Sequence, residues 1–321
     1  MGSQGVLVVS RDQGTGKSFG ERIFSTYPLR FISCDGGDRM RKRKAPGDAE
    51  EMCCKNFAAR EQVAMYFMIG FGGGYVSGDD IGISLELRPK TTTCIRTQGS
   101  TKIFEAVGES SCRQTISAKL EEESFLVYIP DATTCFRGSV FDQKQTFHLK
   151  NHSSSCVLVD FYSCGRTNKD EYWHAKRIKN RIEVHIAGKV QLLENMEVEN
   201  VDHDETTSQK RLTMADRVQS NIFGTVVIFG PRTALLKGKL EGFQQRQSFR
   251  DYRIKRQSGD QDDNSFNQTL VSVSTLADGL VVVRFSAVYM EDAFLFLHDT
   301  LSPLEEVLGY RPYSDRLHYN L

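Results

Sequence analysis

Short polar side chains are concentrated beside an apolar ladder between residues 70 and 104, in GFGGGYVSGDDIGISLELRPKTTTCIRTQGSTKIF. The set comprises Ser77, Asp79, Asp80, Thr97, Gln98, Ser100, Thr101 and Lys102, and two further carboxylates, Asp131 and Glu171, follow downstream. Oxygen-bearing side chains at this density predict a hydrated polar seam. Each residue also has a purely structural interpretation, because turn-forming carboxylates bond their own backbone and buried amides and amines satisfy carbonyl groups.

Two local elements must position this polar set. The triplet Gly72-Gly73-Gly74 predicts a tight turn or a place where two chain segments pass at short range, since glycine tolerates both. After the triplet, Ile81, Ile83, Leu85 and Leu87 recur at every second position. That alternation predicts a strand with one buried face.

The rest of the chain repeats this strand-like texture. Short β-branched and aromatic runs occupy residues 66–69, 81–87, 125–129, 157–161, 182–186, 226–229, 270–276 and 280–285. Such runs, with few long helical patterns between them, predict an all-β stack, sandwich or solenoid. The sequence carries no strict repeat that would choose among the three.

A different pattern covers the C-terminal stretch from Tyr289 to Gly309. Apolar residues follow one another there in steps of three and four, which predicts an amphipathic helix that packs on the core or presents a face to a partner helix. The apolar positions are Met290, Phe294, Leu297, Leu301, Leu304 and Leu308. Pro303 is expected to divide the helix, and Gly309 is expected to end it.

Composition narrows the function classes. The chain has 321 residues, with 41 basic and 41 acidic side chains and a formal net charge of zero, so no global field favours nucleic acid or an anionic membrane. The sequence shows no apolar stretch of bilayer-spanning length and no signal-peptide pattern, which makes the cytoplasm the expected location. Polar stretches at 36–62, with the basic run from Arg39 to Lys44, and at 244–268 predict flexible inserts.

Eight cysteines are too sparse and unevenly placed for a disulfide framework, and we expect reduced thiols. The sequence contains no C-x-x-C pair, which disfavours a tetrahedral zinc site, although Cys53-Cys54 is a candidate for a soft metal. The histidines form no pattern typical of a metal site.

Catalytic motifs are weak. GTGKS at residues 14–18 resembles the end of a phosphate-binding loop, but Arg11 stands where the first glycine of that motif belongs. The G-x-S-x-G elbow of hydrolases is missing from the sequence. A carboxylate pair on a β-solenoid would suit a carbohydrate-active enzyme, and this alternative stays open because acidic residues are plentiful and nothing selects one pair.

Four blocks in order carry a family resemblance. They are GGGYVSGDDI, TQGSTKIF, the Ile129-Pro130-Asp131 segment with FRGSVFDQKQTFHL, and DFYSCGRTNKDEYWHAKRIKNRIEV. Together the blocks, which cover roughly residues 19–195, resemble the urease accessory protein D family, called H in some bacteria. The resemblance implies a single domain over 1–321, mainly β, built as an irregular β-helix-like stack of strands with a short helical C-terminal segment.

The resemblance also implies a role. Members of the family are expected to be non-enzymatic chaperones that bind apo-urease with F-type and G-type accessory proteins, the latter a GTPase, and help Ni(II) reach the active site. Nickel would be in transit rather than tightly bound, because a protein that passes the ion onward cannot hold it in a closed cage. Candidate path residues are Asp79, Asp131 and Glu171, with Thr97, Gln98, Ser100 and Lys102 lining a polar route. Partner faces and oligomeric state stay open.

Overall fold

The computed structural model describes residues 3–34, 63–108, 110–199, 220–246 and 269–317, and these parts are mainly β. Their strands are β1 Gly5–Arg11, β2 Ser18–Ser25, β3 Leu29–Ser33, β4 Val63–Gly70, β5 Asp80–Leu87, β6 Thr92–Thr97, β7 Thr101–Ile103, β8 Cys112–Leu120, β9 Phe125–Tyr128, β10 Thr133–Cys135, β11 Val140–Leu149, β12 Ser155–Ser163, β13 Arg177–Ile186, β14 Lys189–Glu199, β15 Ile222–Phe229, β16 Thr269–Thr275 and β17 Val281–Ala287. Their α-helices are α1 Ala234–Arg246, α2 Met290–Thr300, α3 Glu305–Leu308 and α4 Ser314–Leu317.

Two large sheets hold most of the strands. Sheet A has the order β14-β13-β11-β8-β5-β1-β2, and sheet B has the order β16-β17-β15-β12-β9-β6-β4-β3. Parallel pairs form the middle of each sheet, where β1, β5, β8, β11 and β13 lie side by side in sheet A and β4, β6, β9 and β12 in sheet B. Antiparallel strands flank both parallel blocks. The mainly β, solenoid-like stack is therefore confirmed.

A third, narrow side closes each coil. Here β7 pairs with β10, β10 pairs with the end of β12, and Tyr75 forms an isolated parallel bridge to Ile103. We call this side the short face. The chain passes from sheet B to the short face and then to sheet A in each coil, as in β6, β7 and β8 or in β9, β10 and β11.

Strand register explains why the coils leave no strict repeat in the sequence. Asp80 pairs with Arg113, and Arg113 pairs with Asp142, so two successive coils take 33 and 29 residues. Corner loops absorb the difference in length, whereas the period-two alternation along each strand is kept. In β5 the predicted alternation is confirmed, since Ile81, Ile83, Leu85 and Leu87 are each at most 2% exposed.

The helices form a second core layer on sheet B. Leu236 and Leu240 of α1 and Phe296 and Leu297 of α2 pack with the outward residues of sheet B in one apolar cluster. The predicted C-terminal helix is confirmed as core packing. It is divided at Pro303, because a 3-10 turn at Ser302–Leu304 separates α2 from α3, and α3 ends at Gly309 in the left-handed conformation with φ +79°.

Helix α1 was not expected from the sequence. Its segment ALLKGKLEGFQQR places Leu236 and Leu240 four residues apart but adds two glycines and several polar residues, which weakens the helical pattern. Packing of Leu236 and Leu240 on sheet B stabilises the helix despite this weak pattern.

Helix α1 runs through residues 244–246, which the sequence predicts as the start of a polar insert. The rest of that insert, the insert at 36–62 and Cys53-Cys54 lie outside the described residues. Within the described ranges, no helix has the length and apolar character needed to cross a membrane.

Candidate functional site

On the short face, the glycine-rich block GGGYVSGDDI contacts the block TQGSTKIF. At Gly74 a Cβ atom would lie 2.4 Å from the Lys102 carbonyl oxygen, and the Tyr75 N–H donates to that same oxygen at 2.8 Å. Gly72 and Gly73 have φ of +76° and +78° and form the turn before it. The glycine triplet thus supplies both predicted features, a tight turn and a close approach of two chain segments.

Asp131 lies at the corner that leads from sheet B to the short face. Its side chain is 4% exposed, and Oδ2 accepts a hydrogen bond from the Gly99 N–H at 2.8 Å. Thr97 Oγ1 accepts from the Asp131 N–H at 2.8 Å. Arg316 of α4 binds the carboxylate with two donors, Nε at 3.0 Å from Oδ1 and Nη2 at 2.6 Å from Oδ2. Thr97 and Asp131 are therefore direct neighbours, and Arg316 binds both oxygens of the Asp131 carboxylate.

The other residues of the TQGSTK segment face outward. Gln98, Ser100 and Lys102 are exposed, whereas Thr97 is buried. These three exposed residues lie on the surface of the corner at Asp131, between sheet B and the short face.

Asp79 and Glu171 lie in corner loops that lead from the short face into sheet A. Asp79 Oδ2 accepts a hydrogen bond from the Val76 N–H at 2.9 Å, the geometry of a turn former. Glu171 is 4% exposed and is bound by both Nε and Nη2 of Arg166, whose guanidinium lies 4.1 Å from the centre of the Phe136 ring. The hydrogen bonds from Arg166 lower the pKa of the Glu171 carboxyl. Both residues have structural roles in their loops.

A set of polar side chains that we did not single out from the sequence lies inside the solenoid, between sheets A and B. Its members are Gln114, Gln143, Gln145, Asp160, Tyr162 and Asn180, and none exceeds 8% exposure. We call this set the interior polar file. Gln143 donates to Gln114 Oε1 at 2.6 Å, Gln145 donates to Gln143 Oε1 at 3.1 Å, and the Tyr162 hydroxyl donates to Gln143 Oε1.

Asp160 is the acidic member of the file. Asn180 Nδ2 donates to Asp160 Oδ2 at 2.6 Å, and no basic side chain of the described residues forms an ion pair with this carboxylate. Burial raises the pKa of Asp160 to about 7, against the opposing hydrogen bonds from Gln145 and Asn180. Asn180 Oδ1 is buried and has no hydrogen-bond partner among the described residues. The Asp160 carboxyl group and Asn180 Oδ1 therefore lie close together inside the solenoid, between sheets A and B.

The file continues to the edge of the solenoid. Thr225 on β15 pairs with Asp160 and with Arg284 on β17, so the three residues lie in one row across sheet B. Glu194 on β14 of sheet A accepts from Arg284 at 2.7 and 2.6 Å. This ion pair joins the two sheets near one end of the solenoid, where the Arg284 side chain is 45% exposed. The polar row thus extends from the interior to solvent.

The described residues contain no cluster of three or more histidine, cysteine or acidic side chains that could hold a metal ion. The five buried thiols among the described residues are poor candidates as well. Burial raises the pKa of Cys94 and Cys164 to about 11 and that of Cys112 and Cys156 to about 12, and it raises the pKa of Cys135 further. These groups stay protonated at neutral pH, and the thiolate is the metal-binding form.

Two histidines that are distant in sequence form a pair in the fold. His148 on β11 and His185 on β13 are register partners with ring centres 4.5 Å apart, and Glu183 lies 3.3 Å from His185 Nε2. Parallel neighbours in a solenoid are separated by a whole coil in sequence, which hides such a pair. It lies on the outer face of sheet A, away from the interior polar file.

Comparison with known proteins gives a consistent result. A family model described as UreD urease accessory protein matches residues 39–319. Urease accessory protein D of Arabidopsis thaliana is 29% identical over 315 residues, covering 93% of this chain and 96% of the relative. Urease accessory protein UreD of Sorangium cellulosum is 28% identical over 286 residues, covering 89% and 82%. Urease accessory protein 4 of Cryptococcus neoformans is 24% identical over 264 residues, covering 74% and 77%. The chain belongs to the urease accessory protein D family.

Proposed function

We propose that this chain is a nickel-insertion chaperone for urease, which binds the apoprotein together with F-type and G-type accessory proteins in the cytoplasm. Membership of the urease accessory protein D family supports the maturation role. The chain itself acts without catalysing a reaction and without a tightly bound cofactor. Nickel is its cargo, and the GTPase partner supplies the energy for transfer.

The observation that carries the transfer proposal is Asp160 inside the interior polar file. An ion in transit needs oxygen ligands that replace water but do not enclose the ion. Gln143, Tyr162 and Asp160 offer amide, hydroxyl and carboxylate oxygens inside the solenoid. Since a coordinating carboxylate must be deprotonated, entry of a divalent ion beside Asp160 would displace one proton.

The carboxylates predicted from the sequence take a secondary place in this proposal. Asp131 and Glu171 already have arginine partners, and Asp79 bonds its own turn. We propose that Asp79, Asp131 and Glu171, with Thr97, Gln98, Ser100 and Lys102, shape the outer corners of the solenoid where an ion would enter or leave.

Co-expression with the urease subunits and the F-type and G-type partners tests the assembly role. We expect a co-purifying complex and nickel-dependent urease activity. Equal activity after deletion of this chain would overturn the chaperone proposal.

Variants in the same system test the route. Asp160→Ala should reduce activation at least about tenfold while the complex still co-purifies, and Asp142→Asn on the outer face of β11 is the control. Full activation by Asp160→Ala in an intact complex would remove the interior file from the route. Full activation by alanine variants of Asp79, Asp131 and Glu171 would likewise remove those three residues.

A further inference from the structure

A basic cleft lies at the corner where the chain passes directly from sheet A to sheet B, on the side of the coil away from the short face. Its volume is about 380 Å³, and its lining includes Arg11, Gly16, Lys90, Thr92, Glu123 and Arg232. Three cations and one carboxylate therefore line it. None of the residues assigned to the interior polar file or to the outer corners of the short face belongs to this lining.

The two arginines are fixed by neutral groups. Arg11 Nη1 donates to the Lys90 carbonyl oxygen at 2.9 Å, and Arg232 Nη1 donates to Thr92 Oγ1 at 2.6 Å while its guanidinium lies 5.0 Å from the centre of the Phe125 ring. Neither guanidinium forms an ion pair with a carboxylate in the described ranges. Since a guanidinium carries five N–H donors, each has further donors to offer a ligand.

The positive charge of the cleft is only partly compensated. Glu123 lies 3.7 Å from Lys90 Nζ, and both side chains are 58% exposed, so this carboxylate is a weak partner for Lys90 and leaves the arginines without one. Burial and the nearby Arg11 charge lower the pKa of Arg232, as expected for two cations held close together. Helix α1 begins at Ala234, two residues after Arg232, and adds the positive end of its dipole.

The GTGKS segment takes part in this cleft, although not as a phosphate-binding loop. It lies in the turn between the antiparallel strands β1 and β2, where Asp12 Oδ1 accepts hydrogen bonds from both the N–H and the hydroxyl of Thr15. A Cβ at Gly16 would lie 3.0 Å from Arg11 Nη2, so the glycine leaves space for that guanidinium. The turn thereby positions Arg11 at the cleft.

We propose that this cleft binds a phosphate-type oxyanion. Two guanidinium forks and a lysine match the charge and donor geometry of phosphate. The volume falls in the range of small-molecule sites, which favours a phosphate or phosphoryl group over a polymer. The net charge of zero for the whole chain makes the cleft a local site instead of part of a general anion-binding surface.

Titration calorimetry on the full chain tests the proposal, with inorganic phosphate, pyrophosphate and GTP as separate probes. We expect saturable binding of at least one probe. Arg11→Gln and Arg232→Gln should each weaken it at least about tenfold, and Arg22→Gln on the exposed side of β2 should leave it unchanged. Equal affinity for phosphate and GTP would indicate a site for the free anion, and much tighter GTP binding would indicate a nucleotide site.

Three results would overturn the proposal. The first is no saturable heat with any probe at millimolar concentration. The second is unchanged affinity in both arginine variants, with circular dichroism showing that they are folded. The third is tighter binding of a polyglutamate peptide than of pyrophosphate, which would assign the cleft to an acidic protein segment.

Discussion

Asp131 and Arg316, 185 residues apart, form a bidentate ion pair that ties helix α4 to the corner between sheet B and the short face. A second pair runs in the opposite sense, since Arg96 of β6 donates to both oxygens of Asp315 at 2.8 and 2.9 Å. Tyr313 adds a hydrogen bond from its hydroxyl to the Pro130 carbonyl oxygen at 2.7 Å. Helix α4 is thus held against the corner that contains Pro130 and Asp131.

Removal of the Arg316 side chain should therefore destabilise the protein. Arg316→Ala leaves the nearly buried Asp131 carboxylate without its cation, and we expect a loss of about 2 kcal/mol in the free energy of unfolding, below the range for fully buried pairs because Arg316 is 21% exposed. Urea unfolding measures the change. Arg311→Ala, which breaks an exposed pair with Glu305, is the matched control and should have little effect. Equal effects of the two variants would contradict the anchoring role.

Asp160 should give the protein a distinctive pH dependence. Between about pH 4 and pH 7 the unfolded state has lost the Asp160 proton and the folded state retains it, so the free energy of unfolding falls as pH rises, by up to about 4 kcal/mol. Asp160→Asn mimics the protonated acid and should remove this fall. Urea unfolding at several pH values measures it. Asp142→Asn is the control, and a wild-type slope in Asp160→Asn would contradict the assignment.

Glu171 should act in the opposite pH range. Its pKa is lowered by the hydrogen bonds from Arg166, so its contribution is fully present above the unfolded value of about 4.5 and is lost as the pH falls through the folded pKa. Glu171→Gln should unfold at lower temperature than the wild type above about pH 5, and the two should converge in acid. Thermal scans monitored by circular dichroism test this. A constant difference at all pH values would show that the charge is not responsible.

The glycine triplet allows a test of close packing. Gly74→Ala should cost more stability than Gly72→Ala, because a Cβ at Gly74 meets the Lys102 carbonyl oxygen, whereas the space around Gly72 is open and only its positive φ is unfavourable. We expect about 1 kcal/mol for Gly72→Ala and at least twice that for Gly74→Ala. Urea unfolding measures both. The reverse order would mean that the turn, and not the close approach, sets the glycine requirement.

Sequence patterns predict β5, the C-terminal helix and the family, but neither helix α1 nor the interior polar file. Alternation in β5 and the end of α3 at Gly309 follow from local rules. The interior polar file had a signal, because Gln143 and Gln145 share the phase of Phe141 in β11 and therefore face inward. Which strand each amide meets depends on a register set by corner loops of unequal length, and alternation within one strand does not fix that register.

Long-range pairs were beyond sequence reasoning for a related reason. Arg316 stands in a short C-terminal segment with no pattern that points to Asp131, and the contact depends on the tertiary packing of α4 against the corner at Asp131. Asp79 bonds its own turn, as the structural interpretation of that residue predicts, whereas the arginine partners of Asp131 and Glu171 have no signal in the sequence.

The buried thiols report on local unfolding of the stack, because unfolding exposes them to solvent. Cys94 and Cys112 lie on β6 and β8 of one coil, and Cys135 and Cys156 lie on β10 and β12 of the next two coils. Three successive coils therefore hold sulfhydryls that alkylating reagents reach only when that part of the stack comes apart. The order in which mass spectrometry finds them modified would show from which end the stack unwinds, without any engineered label.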